Sequence, residues 1–97
     1  MPKKYPTLTP AEIVTILTAR GFTLDRTSGS HAQYVRQLRG QRRRVTVDMH
    51  YAGFGDALLK RMIEQAALSR EEFYGSTKQT AKKINLRAES FPVPLSE

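Results

Sequence analysis

The sequence predicts a two-layer α+β domain in the order α-β-β-β-α, and three observations predict it. Two amphipathic stretches with end signals lie at 9–22 and 56–68. Three short runs with partial alternation lie between them. The length, 97 residues, suffices for one modest core and not for two. Both helices should cover one face of a three-stranded antiparallel sheet and leave the other face exposed.

Each element has its own signature. In "TPAEIVTILTARGF", Thr9 is the N-cap, Pro10 takes the first helical position and Glu12 closes a capping box. Ile13, Ile16 and Leu17 form the core-facing stripe, with Val14 and the Arg20 stem beside it. Gly21 suits the left-handed residue past the helix end, with Phe22 behind it. "FTLDR" alternates, Phe22 and Leu24 pointing one way. "HAQYVRQL" (31–38) is the second strand, followed by a turn around Gly40. In "RRVTVDM" (43–49), Val45, Val47 and Met49 face the core while Arg44, Thr46 and Asp48 face outward. The second helix, 56–68, takes Asp56 as its cap and buries Leu58, Leu59, Met62, Ile63 and Ala66. Ser69 and Glu72 repeat the capping-box spacing and predict a short further turn of helix. Residues 1–74 make up the domain. Residues 75–97 read as a polar, basic, Pro-interrupted extension with no assigned structure.

Charge is the strongest bulk signal. Sixteen Lys and Arg against nine Asp and Glu leave +7. All of that excess lies in residues 1–44, which hold nine basic and two acidic residues; residues 45–97 hold seven of each. The densest point is "RGQRRR" at 39–44. Such a field attracts polyanions, nucleic acid first among them. The absence of cysteine excludes a disulfide scaffold, a thiolate metal site and a Cys nucleophile. No apolar run approaches a membrane span, and the N-terminal segment lacks a signal-peptide core, so a cytoplasmic location without membrane association is expected.

The chemistry narrows to histidine. Two histidines without a metal-ligand spacing argue against a metal site, and no cofactor is expected. No Gly-rich phosphate loop precedes a helix. Ser30 and His31 are adjacent on a strand, point to opposite faces and make no hydrolase pair. An imidazole can exchange a proton near neutral pH. RNA carries its own nucleophile, so one base on the ribose 2′-OH plus cationic side chains is chemically sufficient for cleavage. His31 is the candidate base or acid, and His50 the second. A hairpin centred on residues 40–41 would make the two near neighbours. Arg42, Arg43 and Arg44, with Lys3 and Lys4, are candidate phosphate ligands; Tyr34 and Tyr51 could stack on bases. Each has a plainer reading: a polar strand histidine, a loop histidine packed on Tyr51, a solvated hairpin, half-buried tyrosines.

"ARGF", "GSHAQY", "RRVTVDMH" and "FGDALLKRMIEQAALSREEF", in this order, resemble the HicA (YcfA-like) toxin family of bacterial type II toxin–antitoxin modules. The resemblance runs from about Thr9 to Phe73. It implies a double-stranded-RNA-binding-domain-like fold and an mRNA interferase, an endoribonuclease that stops translation. It carries the catalytic role onto His31. It also implies a cognate HicB-like antitoxin that covers the site and links the pair to operator DNA. Family members usually carry a proline two residues before the second histidine, where this chain has Asp48, and a glycine in the second helix, where it has Ala67. Asp48 adds a negative charge near the expected RNA path.

The combined expectation is a metal-independent endoribonuclease toxin acting on mRNA. His31 is its catalytic group, Gly29 supplies the tight backbone that presents the imidazole, and Gly29 and Ser30 join the hairpin arginines, Lys3 and Lys4 as RNA-binding residues. The rivals are a non-catalytic RNA-binding module of the same fold and an adaptor whose basic face docks an acidic protein.

Overall fold

The computed structural model describes residues 4–95 and carries the expected core of elements: α1 (Pro10–Ala19), β1 (Thr23–Ser28), β2 (His31–Leu38), β3 (Gln41–Asp48) and α2 (Asp56–Ala66). Two short helices, α3 (Arg70–Tyr74) and α4 (Lys78–Ala81), and a 3₁₀ turn at Lys82–Ile84 follow. The sheet is antiparallel in the order β1-β2-β3. Lys3 lies outside the described residues.

The α1 start is as expected. Thr9 accepts from the Glu12 N–H, and the Glu12 carboxylate reaches back to the Thr9 N–H at 2.9 Å. Gly21 leaves the helix at φ 85° and turns the chain into β1. At α2 the cap is Gly55 without a side-chain bond, and Asp56 is the first helical residue instead, where its charge still favours the helix N-terminus. The α2 end is left-handed at Ala67, φ 58°, the position where a glycine would avoid the Cβ clash.

Ile13, Ile16 and Leu17 of α1 and Leu59, Met62, Ile63 and Ala66 of α2 are buried against Val45 and Val47. Two of the expected core residues are not in the core. Leu24 is 53% exposed, because α1 and α2 pack mainly on β3 while β1 pairs only with β2, beyond their cover. Met49 is 45% exposed, because β3 ends at Asp48 and the chain turns away.

The β2–β3 turn differs by one position from a hairpin centred on 40–41. Leu38 pairs with Gln41 around a two-residue turn, with Arg39 at φ 52° and Gly40 at φ 77°. Two successive left-handed residues define a type I′ turn, whose twist matches the strands. Arg39 offsets its backbone cost with side-chain bonds to the Ala67 carbonyl and to Glu72.

Beyond Gly75 the chain stays packed. Arg20 is 5% exposed, and its guanidinium donates to the Ser76 hydroxyl and to the carbonyls of Glu72 and Val93. Gly75 sits so tightly that a Cβ there would lie 2.5 Å from the Glu71 carbonyl oxygen and 2.8 Å from Leu86 and Val93. Lys83 donates to the Thr7 carbonyl at 2.9 Å and pairs with Glu12 at 3.2 Å. The Tyr74 hydroxyl donates to the Pro6 carbonyl at 2.7 Å.

Candidate functional site

The β2–β3 register decides what stands beside His31. His31 pairs with Asp48, Gln33 with Thr46, Val35 with Arg44 and Gln37 with Arg42. Alternation along the strands puts these eight on the face opposite the buried valines, and none of them is buried. The partner of His31 is therefore Asp48, two residues short of His50.

Asp48 is held from three sides. The Ser30 hydroxyl donates to its Oδ1 at 2.8 Å, the His50 backbone N–H donates to the same oxygen at 3.0 Å, and Oδ2 lies 3.4 Å from His31 Nε2. The His50 N–H, then the Ser30 hydroxyl, hold its carboxyl below the usual Asp range against a small opposing effect of burial. A further backbone bond, from the Met49 N–H to the Ser30 carbonyl at 2.7 Å, ties the two strand ends together. Gly29 makes this possible. The β1–β2 turn has only two residues, Gly29 and Ser30, and Gly29 takes φ 59°, which a residue with a Cβ adopts at a cost.

The His31 side chain is 56% exposed and looks into a cleft of about 250 Å³ between the β3 edge and α2. Thr46 and Asp48 line it from the sheet, Tyr51 and Phe54 from the loop after β3, and Leu58, Arg61, Met62 and Gln65 from α2. Tyr51 stacks on Phe54, centroids 5.1 Å apart and planes inclined by 13°. Among the described residues no carboxylate pairs with Arg61. Also among them, no three His, Asp or Glu side chains gather as a metal site, and no helix is long and apolar enough to cross a membrane.

The other residues singled out from sequence fall elsewhere. His50 contributes its backbone to Asp48, while its exposed ring does not line the cleft. The arginine triplet is split. Arg42 and Arg44 lie on the same face as His31 and reach Asp25 at 4.0 and 3.1 Å. Arg44 is four residues along β3 from Asp48, about 13 Å at the rise of a strand. Its hydrogen bond holds the Asp25 carboxyl below the usual range, with a small opposing effect of burial and smaller support from Arg26 and Arg42. Arg43 points to the helix side, where its Nε is buried without a hydrogen-bond partner. Lys4 lies over the Tyr5 ring at 5.7 Å and is not part of the cleft. Tyr34 is half-buried against the core.

Arg61 and Gln65 escape a reading of the sequence. Their signal is spacing: Leu58, Arg61, Met62 and Gln65 recur at three- and four-residue intervals along one rim of α2. That rim meets His31 only once the hairpin register is known.

A three-stranded antiparallel sheet backed by helices, with an imidazole, a fixed carboxylate and an arginine around one surface cleft, defines a small basic α+β domain. Residues 10–68 match the family of the HicA toxin of bacterial toxin–antitoxin systems. The match covers more than half of the chain, and the chain belongs to that family: it is the toxin of a toxin–antitoxin module, with an antitoxin as its partner. No curated protein and no solved structure matches it.

Proposed function

We propose that the protein is a metal-independent endoribonuclease that cleaves mRNA at the His31 cleft. The observation that carries this reading is the exposed imidazole with its Nε2 beside a carboxylate and an arginine on the facing helix. In this scheme His31 takes the proton of a ribose 2′-OH. The 2′-oxygen attacks the adjacent phosphorus, the bond from phosphorus to the 5′-oxygen breaks, and a proton returns to that oxygen from the imidazolium or from water. Arg61 stabilises the negative charge on the phosphoryl oxygens as it grows. Asp48 orients the ring and balances its positive charge. Arg42 and Arg44, further along the same face, hold backbone phosphates of the flanking strand. The products carry a 2′,3′-cyclic phosphate and a 5′-hydroxyl.

The antitoxin in this scheme is a HicB-like protein that covers the cleft and connects the pair to operator DNA, so this chain meets DNA only indirectly. The basic face suits an acidic antitoxin surface as well as RNA. A non-catalytic RNA-binding module of the same fold is the second reading. The exposure of His31 favours it equally, since a contact residue would be just as open.

RNA cleavage by the purified, antitoxin-free chain in EDTA, beside His31→Ala, separates the two. The expected result is cleavage with cyclic-phosphate ends by the parent chain. The variant should lose cleavage by about 100-fold or more while keeping its RNA affinity. Equal cleavage by both would remove His31 from the chemistry. Binding without cleavage by either would leave the binding module.

A further inference from the structure

We propose that the cleft beside His31 seats one nucleobase of the bound strand, stacked on Tyr51 and read along its edge by Gln65. The proposal rests on the ribonuclease reading for RNA as ligand, and adds to it the element that selects where the strand is held.

Three observations carry it. The first is the platform. Tyr51 is 43% exposed, yet its ring lies on Phe54, which is 3% exposed. Phe54 is fixed in turn by its N–H bond to the Leu8 carbonyl at 2.8 Å. An aromatic ring presented to solvent on a rigid support is what base stacking requires, and it costs little ordering entropy on binding. The second is the reader. Gln65 is exposed on the cleft rim and makes no side-chain hydrogen bond among the described residues. Its amide offers both donors and acceptors to a base edge. The Thr46 hydroxyl, by contrast, is engaged by Gln33 at 2.9 Å.

The third is the division of charge. Arg61 lies one helical turn before Gln65 and attracts phosphate, whereas Asp48 repels it. A phosphate is thus drawn toward Arg61, and the flat ring of the base is left to Tyr51, Leu58 and Met62. A volume of about 250 Å³ accommodates a single base.

The test uses the full chain carrying His31→Ala, so that RNA survives, and single-stranded RNA tetranucleotides that differ at one base. Tyr51→Ala should weaken binding of every tetranucleotide by roughly 5- to 150-fold, the range of one lost base stack, and Tyr51→Phe should restore it. Gln65→Ala should level the ranking among the four bases. RNA should also shift the Tyr51 ring signals in NMR spectra. Circular dichroism confirms that each variant folds. Unchanged affinity and unchanged ranking in both alanine variants would overturn the proposal. If the parent chain cuts RNA but no RNA perturbs Tyr51, the base seat falls alone and the ribonuclease reading stands without it. If the parent does not cut while RNA shifts Tyr51 and Tyr51→Ala weakens binding, the base seat stands without the ribonuclease.

Discussion

One oxygen of Asp48 accepts from Ser30 and from the His50 N–H, and the other faces His31. Two fixed donors on a single oxygen hold the carboxylate in place, and its second oxygen lies 3.4 Å from the His31 Nε2. A proline at this position has no carboxylate to place there. In the proposed reaction, the charge that the sequence places near the RNA path acts on the ring as a positioning group. Asp48→Asn keeps the size and removes the charge. In the proposed reaction it should lower kcat about 10- to 100-fold through misorientation. RNA affinity should hold or rise, because a negative charge beside the phosphate is gone. Steady-state kinetics on an oligoribonucleotide would show this as a fall in kcat without a rise in KM. A variant that turns over like the parent would sink the orienting role.

Among the elements, those with local signals were legible and those held by distant contacts were not. The α1 capping box and the limits of β2 follow from neighbouring residues, so spacing alone reveals them. Leu24 alternates like a core residue, but its burial depends on how far the helices reach across the sheet. The segment after Gly75 has no periodicity because scattered contacts, not one apolar stripe, bind it: the buried Arg20, Lys83 on Thr7 and Glu12, and single apolar residues such as Ala81 and Ile84. Arg20 supplies three hydrogen bonds to Glu72, Ser76 and Val93. Arg20→Met keeps the apolar stem and removes all three bonds, while the Ser76 hydroxyl keeps its own bond to the Glu72 carbonyl at 2.8 Å. It should lower stability by about 3 kcal/mol, in the range expected when bonds from a charged donor are lost in the interior. It should also open residues 76–95 to proteases before the sheet unfolds. Urea unfolding and limited proteolysis report the two effects separately. A variant that loses neither stability nor protection would mean that the segment is held by its apolar contacts alone.

Across the whole molecule, three carboxylates lie at separate joints, and each is held below its ordinary pKa. Asp48 closes the cleft and is lowered mainly by the His50 N–H and Ser30. Asp25 gathers the arginines of the sheet face and is lowered mainly by Arg44. Glu12 joins α1 to Lys83; burial pushes its pKa up, and the Thr9 N–H together with Lys83 more than reverses that. A lowered folded pKa means that the folded state binds fewer protons than the unfolded chain at acid pH. The stabilisation is complete above the unfolded values, 4.5 for Glu and 3.8 for Asp, and is lost as pH falls through the lower folded values. Protonation also strips negative charge from a chain that already carries +7, so repulsion grows as the ties fail. Stability against urea should therefore be level above about pH 5 and decline steeply below about pH 4. Asp25→Asn and Asp48→Asn should each start from a lower plateau and lose less on acidification. If the parent and both variants instead fell in parallel, the acid sensitivity would not come from Asp25 or Asp48.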